Sequence, residues 1–260
     1  MTKVSYKDVT EVPGLKVTDE QLSMLVTRYS LARDFSKGKK VLEVACGSGI
    51  GIGYLALVAE SYIGVDLDKS NIKIADKNSE LIQNASVKQM DAHSLEFEDN
   101  SFDVVILFEA LYYLQNPELF LREVRRVLVP DGKLIISTVN CEWPGFNPSP
   151  HSVSYYKVRD LENLLSSGGF VCTQYVAFPD TVDSFKKKMI RTIRRLAVKY
   201  NLIPKTMVGK EFLKRLFIGR LRPMPTALGE EHGKKAELKP VAEIKDLSLY
   251  KMIYCVAQAR

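Results

Sequence analysis

Val41-Leu42-Glu43-Val44-Ala45-Cys46-Gly47-Ser48-Gly49-Ile50-Gly51 is an apolar run that ends in a glycine-studded turn and then re-enters helical periodicity. It reads as a buried parallel strand, a tight loop and a helix start, because Ile52, Leu55, Ala56 and Ala59 follow at helical spacing. Glycines at 47 and 49 remove Cβ atoms where a ligand has to meet bare backbone. The first amides of the following helix point outward with partial positive charge, so the turn predicts a ligand site.

Spacing narrows the ligand. A dinucleotide fingerprint needs G-x-G-x-x-G/A, and the third position here is Ile52 counted from Gly47 or Tyr54 counted from Gly49. No Gly-Lys-Ser/Thr follows, which excludes a phosphate-binding P-loop. Glu43 on the strand would repel phosphate and attract an amine, so an amino-acid-like ligand fits better. A nicotinamide-dependent enzyme is the enzymatic alternative that this spacing argues against.

The stretch E-x-A-C-G-S-G-x-G resembles motif I of the class I S-adenosylmethionine-dependent methyltransferases, and four further matches follow in order between residues 39 and 140. They are Tyr62-Ile63-Gly64-Val65-Asp66-Leu67-Asp68, then Val87-Lys88-Gln89-Met90-Asp91-Ala92, then Ser101-Phe102-Asp103-Val104-Val105, and the turn Val129-Pro130-Asp131-Gly132. The resemblance implies an α/β, Rossmann-like, doubly wound sheet of seven strands, mostly parallel with an antiparallel last pair and helices on both faces. It implies S-adenosyl-L-methionine as cofactor, no metal, and a set of contacts. Ala45, Gly47 and Gly49 would offer backbone, Glu43 would orient the amine, and Asp66 would hold the ribose about 20 residues past the loop. Leu67 would cover the adenine, Asp91 and Ala92 would meet its edge, and backbone at Phe108 and Glu109 would meet the methionine portion. Tyr112 or Tyr113 would turn a ring toward the sulfonium, Tyr113 being the catalytic candidate.

His151 is the candidate general base, beside the reading of a loop histidine with a structural hydrogen bond. Asn147-Pro148, His151 and Tyr155 resemble an Asn-Pro-x-His-x-x-x-Tyr pattern of sugar-modifying members, lengthened by one residue. Around them the proline-rich stretch from Asn140 to His151, with the only tryptophan, Trp143, reads as a rigid ligand-facing loop. His93 reads as a solvated loop histidine.

The chain of 260 residues is organised as one domain: a lid segment over 1–38 with a helix near 19–35, a cofactor-binding core over 39–180, a basic helical insertion over 181–248 and a last strand over 249–260. Tyr29 in the lid helix either faces the site or packs on the sheet. Between Phe185 and Arg222 stand 13 Lys or Arg against one acidic residue, Glu211, whereas the whole chain carries only +6. That asymmetry points to peripheral contact with an anionic membrane or an anionic substrate, or to a cap that solvates its charges. Glu230 to Glu243 reads as polar and mobile. No nucleic-acid-binding motif supports an RNA partner. The four cysteines lack metal or disulfide spacing. Met1 to Lys7 lacks the apolar core of a signal peptide, which predicts a cytoplasmic protein.

The expected activity is methyl transfer to a small molecule or glycan, with O-methylation of a sugar or a nucleotide- or lipid-linked glycan first. N- or C-methylation of another metabolite and a non-catalytic cofactor-binding scaffold at a membrane are the alternatives.

Overall fold

A computed structural model describes residues 10–180 and 221–259. The expected basic helices around 185–200 and 208–217 lie outside the described residues. Over the core, strands and helices alternate: β1 (Lys16–Val17), α1 (Asp19–Ser36), β2 (Lys40–Val44), α2 (Ile52–Ala56), β3 (Ser61–Asp66), α3 (Lys69–Ser79), β4 (Ala85–Gln89), β5 (Phe102–Phe108), α4 (Pro117–Val127), β6 (Leu128–Val139), α5 (Val158–Ser167) and β7 (Phe170–Pro179). From residue 221 onward come β8 (Arg222–Pro223), β9 (Lys239–Pro240) and β10 (Tyr250–Ala259).

The main sheet runs β4-β3-β2-β5-β6-β10-β7-β9. Its first five strands pair in parallel, and β10 is antiparallel to both β6 and β7. Eight strands replace the expected seven because Lys239–Pro240 adds a two-residue edge antiparallel to β7. Chain order reverses between β2 and β5, and the crevice at such a switch point is where open α/β sheets bind ligands.

Both faces of the sheet are covered at its centre, which is why β2 and β5 read as nearly unbroken apolar runs. Leu42, Val105, Leu107 and Ile136 pack with Phe120 and Val124 of α4 and Leu161 and Leu165 of α5 on one side. Val41, Val104, Ile106 and Ile135 pack with Leu22 and Leu25 of α1, Leu55 of α2 and Ala75 of α3 on the other. Alternate residues of a strand serve opposite layers.

Local signals set the helix starts. Thr18 and Gln21 form a reciprocal capping box on α1, Asp68 caps α3 through the Ser70 amide, and Asn116 caps α4 with Pro117 at its first turn. β6 begins at Leu128 rather than after the Pro130-Asp131-Gly132 turn, because the turn is absorbed as an irregularity between the pairs Phe102/Leu128 and Val104/Lys133.

Glu230 to Glu243 is not a loose loop. The amides of Lys234 and Ala236 donate to Ser23 Oγ and Thr27 Oγ1 of α1, at 3.1 and 2.9 Å, before the chain joins the sheet at β9. The described part of the expected helical insertion, 221–248, holds short strands and 3-10 turns only. No helix among the described residues is long and apolar enough to cross a membrane.

Candidate functional site

A cavity of about 560 Å³ opens at the carboxyl edge of β2, β3, β4 and β5, a size suited to a small organic ligand. Its floor is the loop after β2. Ala45 and Gly47 both adopt left-handed backbone, φ 57° and 58°, and leave little side chain between loop and ligand. Gly49 has a different task and does not line the cavity. A Cβ there would lie 2.9 Å from the Ala75 Cα, so Gly49 lets α3 pack against the loop.

Asp66 ends β3 and is pinned by backbone. Its Oδ2 accepts from the Gly47 amide at 2.9 Å and its Oδ1 from the Asp68 amide at 2.8 Å. Burial raises its pKa, and those amide bonds pull it back down. Leu67, half exposed, and the 91–92 turn complete that wall.

Glu43 lines the cavity, and each of its oxygens already holds a tyrosine: Tyr29 Oη donates to Oε1 and Tyr62 Oη to Oε2, both at 2.6 Å. Burial raises the Glu43 pKa against the pull of those two hydroxyls. Tyr29 thus does both things open to it: it lines the cavity and packs edge-on against Phe108, with ring centroids 5.1 Å apart. Gly51 makes this possible, since a Cβ there would fall 1.9 Å from the Tyr29 ring.

Two histidines depart from expectation. His93 is not a solvated loop residue. Its Nδ1 lies 2.7 Å from Asp91 Oδ1 and its Nε2 accepts from the Asn116 amide at 3.2 Å, which sets the tautomer with the proton on Nδ1 and ties β4's turn to the start of α4. His151 is exposed, has φ 68° and does not line the cavity.

The far wall is aromatic and acidic. Glu109 and Tyr113 line the cavity with Phe108 and Tyr112. Tyr112 stacks on Tyr155 with centroids 4.8 Å apart, and Tyr113 Oη lies 2.5 Å from Ser149 Oγ. Burial pushes the Tyr113 hydroxyl up to about 12. Trp143 does not face the ligand space; it is buried, with Nε1 donating to Asp180 at 2.9 Å.

Arg28 and Asn71 were missed by the sequence reading. Arg28 is buried, paired with Glu11, and keeps Nε without a hydrogen-bond partner in the protein; Asn71 Oδ1 is also buried and unpaired. Both residues line the cavity, with these two polar atoms buried behind its wall. The only signal for Arg28 was a lone charge amid the apolar residues of the lid helix.

A strap closes the roof. The Ser48 hydroxyl donates to the Glu11 carbonyl at 2.7 Å, Asn71 Nδ2 donates to Thr10 Oγ1 at 3.1 Å, and β1 pairs with β8. The Leu228 amide then donates to the Ile50 carbonyl at 2.9 Å.

Residues 42–136 match the methyltransferase domain family. The phthiotriol/phenolphthiotriol dimycocerosates methyltransferase 1 of Mycobacterium ulcerans is 44% identical over 100 residues, 38% of this chain and 36% of that protein. The phosphoethanolamine N-methyltransferase 3 of Arabidopsis thaliana is 30% identical over 190 residues, 69% of this chain and 36% of that protein. The chain thus spans about a third of the length of these curated relatives.

Among solved structures, the 4+2 cyclase SpnF superposes with a TM-score of 0.57 at 18% identity, covering 93% of this chain and 81% of that one. A SAM-dependent methyltransferase from Aquifex aeolicus does so with a TM-score of 0.53 at 21% identity, covering 62% and 93%. These likenesses concern the fold, which hosts more than one chemistry. The five ordered motifs, the family match and the cavity at the switch point agree: residues 42–136 carry a methyltransferase domain, with the motifs of the class I S-adenosylmethionine-dependent type.

Proposed function

We propose that the chain transfers a methyl group from S-adenosylmethionine to a hydroxyl of a small-molecule or lipid acceptor. The observation that carries this reading is the cavity on which three of the five motif segments converge, at 43–48, 66–67 and 90–92, with bare backbone at 45–47, a pinned carboxylate at Asp66 and an aromatic, acidic wall at 108–113. The cofactor, when bound, supplies an electrophilic methyl on a sulfonium. Asp66 and Leu67 hold its ribose and adenine side with Asp91 and Ala92, while Ala45 and Gly47 give backbone approach. The strap and the buried α1 exclude water, and the tyrosines orient the acceptor.

The mycobacterial relatives are named as methyltransferases of phthiotriol and phenolphthiotriol dimycocerosates, esters of a triol, which supports oxygen as the attacked atom. A sugar or lipid-linked glycan is the finer form of this proposal; its support is the charge of residues 185–222, through which contact with an anionic membrane or substrate would also run. The plant relative favours a second reading, an amine acceptor held between Glu109 and the tyrosine rings.

The test is incubation with methyl-labelled S-adenosylmethionine and cell extract divided into lipid, polysaccharide, RNA and small-molecule fractions, with Asp66→Ala as the blank. Label in the lipid fraction supports the proposal, and label in polysaccharide supports its glycan form. Label only in RNA overturns the acceptor class, and cofactor binding with no label in any fraction favours the scaffold.

A further inference from the structure

Glu109 is wired unlike the other carboxylates on the cavity wall. Asp66 holds two backbone amides, Glu43 holds two tyrosine hydroxyls, Asp91 holds His93, and Glu11 is paired with Arg28. Among the described residues Glu109 accepts only two long bonds, from Ser137 Oγ at 3.3 Å and Tyr112 Oη at 3.4 Å. Its backbone is left-handed, φ 51°, and locked by its own amide donating to the Ser137 carbonyl at 3.0 Å. A non-glycine residue held in that conformation at the end of β5, beside the switch point, marks a side chain whose direction matters.

We propose that Glu109 is the proton acceptor of the reaction, a role that rests on the methyl-transfer reading above. As the acceptor's hydroxyl oxygen forms its bond to the methyl carbon, the carbon–sulfur electron pair leaves with sulfur and the hydroxyl proton passes to a Glu109 oxygen. The products are the methyl ether, the neutral thioether and the protonated carboxyl. Other candidates are engaged or elsewhere: His93 has both ring nitrogens occupied, and His151 lies off the cavity.

The electrostatics suit the role. Burial pushes the Glu109 carboxyl up to about 7, Arg28 of α1 opposes this and Glu11 of the strap adds to it. Ser137 of β6 and Tyr112 pull it down, and Tyr113, Tyr155 and Tyr254 of β10 are the remaining titratable groups that feel its charge. A base poised near neutrality combines the right ionisation with enough driving force for proton transfer.

The experiment has two arms. In the first, calorimetry compares the affinities of S-adenosylmethionine and S-adenosylhomocysteine from pH 5.5 to 8.5. The sulfonium is a cation and the thioether is not, so an ionised Glu109 favours the former. The affinity ratio is expected to rise severalfold through pH 7 in the native protein and to stay flat in Glu109→Gln. In the second, label transfer to the lipid extract at pH 8 is expected to fall at least 100-fold in Glu109→Gln, with S-adenosylhomocysteine affinity within threefold of native and partial recovery in Glu109→Asp.

A pH-independent ratio in the native protein, or native-like transfer by Glu109→Gln, overturns the proposal while leaving methyl transfer standing. So does loss of the pH-dependent rise in rate in His151→Ala with its retention in Glu109→Gln. Native protein that binds neither compound overturns the methyl-transfer reading and this proposal with it.

Discussion

Around the loop after β2, the cavity wall is mostly backbone and short-range bonds: Ala45 and Gly47 adopt left-handed backbone, and Asp66 is held by the Gly47 and Asp68 amides. Across the cavity, beyond β5, the wall is side chains from distant segments, with Glu109, Tyr112, Ser137 and Tyr155 meeting from three stretches of chain. The first half recognises a fixed molecule through geometry that consecutive residues can encode. The second leaves a carboxylate loosely bonded among aromatic rings, which suits variable acceptors and proton transfer. A site that must hold one cofactor and choose among acceptors divides its labour in this way.

Asp66→Ala tests the rigid half most severely. It removes the acceptor for two buried amides as well as the ligand contact, and calorimetry is expected to read about a thousandfold weaker S-adenosylmethionine binding. If binding survives, the backbone half does not depend on its pinned carboxylate and the contrast collapses.

Gly51→Ala is the next largest. Its Cβ would fall 1.9 Å from the Tyr29 ring, which is buried and bonded to Glu43 and so has nowhere to go. A loss of about 3 kcal/mol in urea unfolding is expected, with Tyr29→Phe recovering none of it.

Glu109→Gln sharpens the contrast through stability. The folded pKa of about 7 lies above the ordinary carboxylate value of 4.5, so between those two pH values the folded state binds more protons than the unfolded one. Stability from this group is therefore present below pH 4.5 and lost as pH rises to 7. Removing the charge is expected to make the variant more stable than native by about 3 kcal/mol at pH 8, with the gap closing toward pH 4.5. Thermal melts across that range check it, and a gap independent of pH would mean that Glu109 is solvated like a surface carboxylate.

Lys235→Ala should do least. Its pair with Asp34 at 3.2 Å is exposed on both sides, so a change below about 0.5 kcal/mol is expected in the same melts.

The division between the halves is also the division of what could be read. Strand β2, its loop and Asp66 were legible because burial on both faces leaves continuous apolar runs and because a strand tip orders its neighbours locally. The helix starts at Thr18, Asp68 and Asn116 were legible for the same reason, each cap bonding only two or three residues ahead. Gly49 was placed in the right loop with the wrong task, since only the approach of α3 reveals that its missing Cβ faces Ala75. His93, His151 and Arg28 were misjudged or missed together. Whether a polar side chain enters a cavity depends on partners such as Asn116, 23 residues from His93, and no local pattern records them.

The sequence by itself determined the α/β order of elements, the two-faced burial of the sheet and the backbone half of the site, because these follow from periodicity, capping and glycine sterics within a few consecutive residues. Tertiary structure alone decided that Glu43 would be clamped by Tyr29 and Tyr62, that residues 234–240 would run along α1 into an eighth strand, and that Glu109 rather than His151 would face the cavity. Those outcomes depend on which surfaces meet when the helices close on the sheet, and a side chain's partners are then set by packing across distances in sequence as long as the 178 residues between Ile50 and Leu228.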